Sequence, residues 1–316
     1  MAENKNKKSL MTKLRPFLPI IGLVLIFIIF DILTGGKMHE VAKLKLLLSQ
    51  VYVLMIASSG VFFIMTMGGL DFSQGSILGM ASLAVCYLSK INMILAVIGG
   101  IVVGAAVGAI NGYFYVNRKI KSFIVTICTM FLFRGVIKFM TSGAPVSGDL
   151  LTMMNLNSSD ALKIGLTLVV VLIGLFLFNF TGFGIRLKAI GAGEKAAMFG
   201  GIRTDRTKFL IYVLAGAITG FAAFIATIKT GSVTYSAGNQ LETQILIALV
   251  LGGMPITGGA KASFLNVIVG SLLYTVLSFG LNMLGMTTQT TQLIQGVIFL
   301  IFVAIFADRK SLKVIK

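Results

Sequence analysis

Long runs of apolar residues are the feature of this chain that most constrains its fold. Several of these runs approach 20 residues, which is about what an α-helix needs to cross ~30 Å of hydrocarbon. Hydrophobic residues make up 57% of the sequence and charged residues 12%, whereas soluble domains average about 45–50% and about 25%. The sequence therefore predicts an all-α polytopic membrane protein surrounded by a lipid bilayer.

The predicted helices number ten and lie within residues 16–306. They cover 16–33, 44–66, 75–89, 93–116, 122–141, 162–180, 209–228, 241–254, 264–284 and 290–306. The segment 241–254 is short and ends on a glycine pair, so eight crossings with one or two re-entrant segments stay open beside ten. The residues outside this transmembrane domain are a basic N-terminal tail, 1–15, and a C-terminal tail, 307–316.

Basic residues are distributed unevenly over such a fold. With the N-terminus in the cytoplasm, one side holds the two tails, 117–121, 181–208 and Lys261, which together carry 19 of the 27 basic residues. Cytoplasmic loops of membrane proteins collect Lys and Arg, so both termini are predicted to be cytoplasmic. The net charge of +17 has the same explanation. It does not indicate nucleic-acid binding, because no basic stretch is interleaved with aromatic residues on a soluble domain.

Four glycines recur every four residues in the segment 93–116. They are Gly100, Gly104, Gly108 and Gly112, and this spacing places them along one face of a helix. Consecutive small residues at this spacing let another helix approach closely within a membrane. We therefore predict that this face packs against a second helix.

The segment 181–208 is the largest basic interruption of the apolar pattern. It carries six basic residues and contains a helical patch of small residues at 192–202. A phosphate-cradling loop is not evident elsewhere, because the nearest candidate, GGMPITGG, is not followed by G-K-[ST]. No stretch between the predicted helices exceeds about 30 residues. We therefore predict neither a catalytic domain nor a catalytic residue, and expect any ATP to be hydrolysed by a partner chain.

Few residues suggest a metal or cofactor site. Cys86 and Cys128 both lie in apolar segments and are too few for a zinc site, and His39 stands without metal-binding companions. No metal and no cofactor are therefore predicted.

Several polar residues lie in or beside the apolar segments, where they are costly unless they face a cavity or a partner. Asp71 and Ser73 precede the segment 75–89 and could cap that helix or act in gating. Arg134 could pair with a carboxylate or with helix carbonyls, or contact a substrate. Glu242 and Asn282 are candidates for a translocation path. Neutral amides such as Asn282 pair well with the hydroxyls of a sugar, but they also serve to join helices.

Three blocks of sequence resemble the permease subunit of ribose-type ABC importers. GGLDFSQGSILG (68–79) is similar to that family's GGIDLS-VGS block. GEKAAMFGGI (193–202) is similar to its cytoplasmic coupling block. LETQILIALVLGGMPITGGAKAS, with FGLNMLGM after it, is similar to its C-terminal signature, and FRGVIKFMTSG (133–143) is a weaker match. Departures from the family pattern occur at Gln244, Lys261, Leu265 and Gln295.

The resemblance implies an importer permease for a monosaccharide in the bacterial inner membrane. It implies three partners: a second permease copy, a cytoplasmic ABC ATPase and an extracytoplasmic binding protein. It also implies that the ATPase is contacted by Glu194, Ala196, Ala197, Gly200, Gly201 and Ile202. A permease for a nucleoside or a branched-chain amino acid and an ion-coupled secondary transporter are the alternatives.

Overall fold

The structure is a computed structural model that describes residues 17–306, and it is mostly helical over that range. Within it the chain forms 13 helices and one short ribbon of two strands. The helices are α1 (Leu18–Leu33), α2 (Val41–Thr66), α3 (Gln74–Ser89), α4 (Met93–Asn117), α5 (Ser122–Met140), α6 (Leu150–Ser158), α7 (Asp160–Phe180), α8 (Gly182–Ala192), α9 (Glu194–Phe199), α10 (Thr204–Thr230), α11 (Leu241–Leu251), α12 (Leu265–Met283) and α13 (Thr288–Phe306). The strands β1 (Val146–Ser147) and β2 (Ser232–Val233) pair antiparallel.

Each of the ten predicted segments overlaps one of these helices, so the all-α fold is confirmed. Six of them, α2, α4, α5, α7, α10 and α12, are long and apolar enough to cross a membrane, and α1, α3, α11 and α13 are shorter apolar helices. The number of crossings therefore stays a prediction. The two predicted tails, 1–15 and 307–316, lie outside the described residues.

Two helices lie in stretches that the hydropathy pattern assigns to loops. The first, α6, is nine residues long and buries Met153. The second, α8, contains three glycines among its eleven residues but buries Leu187 and Ile190. Glycine disfavours a helix by about 1 kcal/mol relative to alanine, so tertiary burial decides the structure of α8.

The chain divides into two compact units. The smaller unit holds the described residues of 17–51, 247–255 and 265–306. In it α1 packs on α12, where a Cβ atom at Gly280 would lie only 2.3 Å from the Phe30 ring. The hydroxyl of Tyr274 on α12 donates to Oε1 of Gln295 on α13 at 3.3 Å.

The larger unit holds residues 52–246 and 256–264, and backbone contact between α4 and α10 lies at its centre. A Cβ atom at Gly104 would lie 2.2 Å from the carbonyl oxygen of Gly216, and one at Gly108 would lie 2.2 Å from that of Tyr212. Gly100 and Gly112 face α10 in the same way. All four glycines of the predicted packing face therefore lie against α10.

Aromatic rings fill another part of the larger unit. Phe62 packs edge to face on Phe178 at a centroid distance of 4.7 Å and on Phe264 at 5.3 Å. Such pairs contribute about 0.5–1.5 kcal/mol beyond the burial of their area. They join α2, α7 and the segment 256–264.

We expect Gly104→Ala to lower the stability of the protein, because its methyl group cannot fit beside the Gly216 carbonyl unless α4 and α10 separate. Overpacking of this kind costs about 1–3 kcal/mol. The measurement is the midpoint of thermal unfolding in detergent. The matched control is Gly165→Ala on α7, where nothing lies within 4 Å of the added Cβ atom. Equal midpoints for the two variants would contradict the backbone contact.

Candidate functional site

The break between α2 and α3 is the centre of the candidate site. Residues 67–73 leave the helical path, and Gly68 adopts a φ of +84° that favours glycine. The free backbone groups of such a break need partners when they are buried. The amide of Leu70 donates to Ser122 Oγ at 3.2 Å, and that of Phe72 donates to Thr126 Oγ1 at 3.1 Å. Side chains of α5 therefore replace the missing helical hydrogen bonds.

Asp71 lies at the middle of this break and is 1% exposed. Its carboxylate accepts hydrogen bonds from the backbone amide of Ser73 at 2.8 Å, from Ser73 Oγ at 2.6 Å and from Gln74 Nε2 at 2.7 Å. Hydrogen bonds to an ionised group are about twice as strong as neutral ones. No cation among the described residues forms an ion pair with this carboxylate.

The predicted capping role falls to Asp71 and not to the Ser73 side chain, because the Asp71 carboxylate accepts a hydrogen bond from the free amide of the N-cap residue Ser73. Ser73 does occupy the N-cap position of α3, but its side chain accepts no hydrogen bond from the first turn. The Asp71 carboxylate bonds the Ser73 amide, which lies one residue before the helix. The reason is that Ser73 Oγ is already engaged, because it donates to Asp71 and accepts from Asn111 Nδ2 at 2.8 Å.

The hydrogen bonds continue from the break into three further helices. Gln74 Oε1 accepts from Thr219 Oγ1 on α10, and Asn111 Oδ1 on α4 accepts from Thr129 Oγ1 on α5 at 2.7 Å. We call this set the Asp71 network. It consists of Asp71, Ser73, Gln74, Asn111, Thr129 and Thr219, and each member is buried.

Sequence reasoning missed four members of this network: Gln74, Asn111, Thr129 and Thr219. A signal for one of them was present. Asn111 is a buried amide that directly precedes Gly112 on the glycine face of α4, and polar side chains at such interfaces join helices in membranes.

Arg134 and Glu242 form an ion pair next to the network. Arg134 Nη2 lies 2.9 Å from Glu242 Oε1 and 3.1 Å from Oε2, and it also donates to the Gly238 carbonyl at 3.4 Å. The two side chains are 22% and 10% exposed. Of the roles considered for Arg134, the structure therefore shows pairing with a carboxylate.

Gly75 makes room for this pair in the first turn of α3. A Cβ atom there would lie 2.1 Å from the Gly238 carbonyl oxygen and 2.2 Å from Glu242 Oε2. The carboxylate therefore lies at the positive end of the helix macrodipole, which favours an anion. The start of α3 thus brings together Asp71, Ser73, Arg134 and Glu242. Asn282, the remaining candidate, is an exposed residue near the end of α12 in the smaller unit.

The segment 181–208 is more helical than the sequence predicts, because it holds α8, α9 and the first turn of α10. In α9 the side chain of Ala197 is buried, while Phe199 is 86% exposed and Met198 is 54% exposed. The exposed face of α9 therefore excludes Ala197 and includes Phe199, which the sequence analysis did not select. Glu194 is held by an ion pair with Lys208.

A Schellman motif ends α9. Gly201 has a φ of +83°, and the amide of Ile202 donates to the carbonyl of Ala197 at 3.1 Å. Glycine at this position and the bond that follows it are what a helix C-terminus of this type requires. Gly201 and the isoleucine of GEKAAMFGGI thus form the C-terminal motif of α9. This motif holds Gly200 and Gly201 at the surface.

No group of three or more His, Cys, Asp and Glu side chains within residues 17–306 is placed to hold a metal ion. The polar side chains described above are instead hydrogen-bonded or ion-paired with one another.

Comparison with known proteins identifies the family. The profile of the family described as "Branched-chain amino acid transport system / permease component" matches residues 44–303. The chain belongs to this permease family. The permease is accordingly a multi-pass protein of the inner membrane, with transport and not catalysis as its activity.

Individual relatives cover nearly the whole permease. It is 34% identical over 318 residues to the ribose import permease protein RbsC of Bacillus subtilis, covering 96% of this chain and 94% of the relative. It is 27% identical to RbsC of Escherichia coli K12, covering 84% and 85%. It is 29% identical to the fructose import permease protein FrcC of Rhizobium meliloti, covering 94% and 89%. No solved structure matches the permease significantly.

We expect Asp71→Asn to destabilise the permease by about 1–3 kcal/mol, which is the usual cost of leaving a buried polar group unsatisfied. An asparagine amide would place a donor against the donors of Ser73 or Gln74. The thermal midpoint in detergent measures this effect. Asp205→Asn on the exposed first turn of α10 removes the same charge and serves as the control. A midpoint for Asp71→Asn equal to that of the control would contradict the role of the network.

Proposed function

We propose that this permease is the transmembrane subunit of an ABC importer that carries a monosaccharide, a ribose-like pentose or a hexose. The observation that carries the proposal is the similarity, over nearly the whole chain, to relatives named as ribose and fructose import permeases. The description of the family also mentions branched-chain amino acids. A branched-chain amino acid or a nucleoside is therefore the alternative solute.

The proposed topology has both termini in the cytoplasm. The transmembrane domain is 16–306, flanked by cytoplasmic tails at 1–15 and 307–316. In this arrangement the apolar helices make eight to ten crossings, and the segment 181–208 faces the cytoplasm. The bias of basic residues towards that side supports this orientation.

The proposed energy source is an ABC ATPase that contacts α9. The exposed side chains of Ala196, Met198 and Phe199 and the surface backbone of Gly200 and Gly201 form the contact, with Glu194 and Ile202 as structural supports. Ala197 acts from the inside, because it seats α9 on the permease. The protruding Phe199 supports this role, since an exposed aromatic side chain of this size is typical of an interface anchor.

The proposed mechanism is the movement of rigid elements past one another. The Asp71 network is buried and joins α3, α4, α5 and α10, so these helices move together when the ATPase closes. Arg134 and Glu242 are proposed to face the solute path, and Asn282 is a separate candidate for the same role. An extracytoplasmic binding protein delivers the solute, and a second permease copy completes the path.

The carboxylates of Asp71 and Glu242 already have partners within the protein, which argues against an ion-coupled carrier. Such a carrier binds its coupling ion at carboxylates or at broken-helix carbonyls near the membrane midplane. Asp71 accepts three hydrogen bonds and Glu242 is paired with Arg134. Neither carboxylate is available for a coupling ion without breaking these contacts.

We expect the permease, reconstituted with its ATPase and its binding protein, to take up radiolabelled ribose or a related monosaccharide only when ATP is supplied. Labelled leucine and a nucleoside measured in the same vesicles serve as competing substrates. Uptake of leucine without sugar uptake would favour the alternative solute. Uptake driven by an ion gradient in the absence of ATP would overturn the importer proposal.

We expect Phe199→Ser to weaken the association with the ATPase and to lower uptake at least tenfold, since truncation of an interface anchor costs about 2 kcal/mol or more. Co-purification of the ATPase with the tagged permease measures the association. Phe139→Ser is the matched control, because Phe139 on α5 is 83% exposed but lies outside the proposed contact. Unchanged co-purification of the Phe199→Ser variant would exclude α9 as the contact.

A further inference from the structure

A basic cleft of about 550 Å³ lies beside α9 in the larger unit. Its lining includes Arg186 from α8, the backbone of Gly200 and Gly201, and Arg203, Arg206 and Leu210 around the start of α10. Three arginines thus line one space.

The basic residues of 181–208 differ in their partners. Lys208 pairs with Glu194, and Lys188 lies 4.5 Å over the ring of Phe178. The three arginines of the cleft are exposed and form no ion pair with any residue between 17 and 306. Asp205 lies between two of them in sequence but does not line the cleft. The cleft therefore has an excess of positive charge that the residues between 17 and 306 do not neutralise.

The chemistry of this lining suits a phosphate group. Guanidinium groups bind phosphate through two parallel hydrogen bonds. The cleft also lies at the N-terminus of α10, where the N-cap Arg203 supplies no side-chain hydrogen bond. Free amides at the start of a long helix favour an anion and add to the arginines.

The position of the cleft distinguishes a lipid from a soluble phosphate. Arg203 directly precedes α10 and Arg206 lies in its first turn, and Arg186 follows shortly after the end of α7 at Phe180. Both helices are long and apolar enough to cross a membrane. The ends of such helices lie at the depth of the lipid headgroups.

Exposed apolar side chains lie close to the arginines in sequence, at Ile185 and Leu210. Ile185 is 70% exposed and Leu210, which lines the cleft, is 50% exposed. Acyl chains of a phospholipid would cover these side chains, whereas a soluble phosphate or an acidic protein segment would leave them in contact with water.

We infer that this cleft binds the headgroup of an anionic phospholipid, with the phosphate held by Arg186, Arg203 and Arg206 and the acyl chains along Ile185 and Leu210. Because the cleft adjoins α9, a bound lipid would help to position that helix at the membrane surface. The inference concerns lipid binding alone and does not depend on the solute.

Lipid quenching of a single tryptophan tests this inference, since the sequence contains no natural tryptophan. The full chain carrying Ile185→Trp is reconstituted in vesicles that contain brominated phosphatidylglycerol or brominated phosphatidylcholine at equal mole fraction. We expect markedly stronger quenching by the anionic lipid. The control reporter is Leu172→Trp, an exposed position of α7 outside the cleft, which we expect both lipids to quench equally.

Arginine variants then test the site itself. We expect each of Arg186→Gln, Arg203→Gln and Arg206→Gln to lower the preference for the anionic lipid about fivefold. Lys195→Gln, an exposed residue of α9 outside the lining, should leave the preference unchanged and controls for charge. Elution as a single folded species is required of each variant.

Three outcomes would overturn the inference. The first is equal quenching of Trp at position 185 by both lipids. The second is loss of the preference when soluble glycerol phosphate is added at matched ionic strength. That result would assign the cleft to a soluble phosphate. The third is loss of the preference when the ATPase is bound, which would assign the arginines to acidic groups of that partner.

Discussion

The hydrogen bonds around the break at 67–73 are the constraint on which the larger unit depends. An apolar protein cannot leave backbone N–H and C=O groups unpaired where no water reaches them, because each costs several kcal/mol. The break is tolerated because Ser122 and Thr126 bond its amides and Asp71 accepts three further donors. These bonds orient the start of α3 and, through it, the pair of Arg134 and Glu242.

The glycine contact between α4 and α10 makes this network attainable. Gly108 and Gly112 flank Asn111 on α4, and Gly216 and Gly220 flank Thr219 on α10. Because the two backbones touch, short polar side chains on both helices reach the same buried space. Packing and polar bonding therefore support each other: larger residues at the glycines would separate the helices and also withdraw the hydrogen bonds of Asn111 and Thr219.

Charged groups in the larger unit fall into two classes with different consequences. Arg134, Glu242, Glu194 and Lys208 are paired and hold elements together. The arginines around the cleft beside α9 form no ion pair within the described protein, so their charge remains available to another molecule. This division separates residues that maintain the fold from residues that are free to meet another molecule.

The pairing of Arg134 was among the roles predicted from sequence. The network formed by Asn111, Thr129 and Thr219 was not, because hydroxyl and amide side chains that lie far apart in sequence carry no joint signal in one chain.

The sequence by itself determined the helical class, the positions of ten apolar helices and the interacting face of α4, because hydrophobic length and four-residue spacing are local properties. The matched blocks also located the family. Only the tertiary structure decided that α8 is helical, that Ala197 is buried while Phe199 protrudes, and that the Ser73 side chain bonds Asn111 and does not cap α3. Those outcomes depend on which atoms arrive from distant parts of the chain, and burial and hydrogen bonding there outweigh the local preferences that a sequence displays.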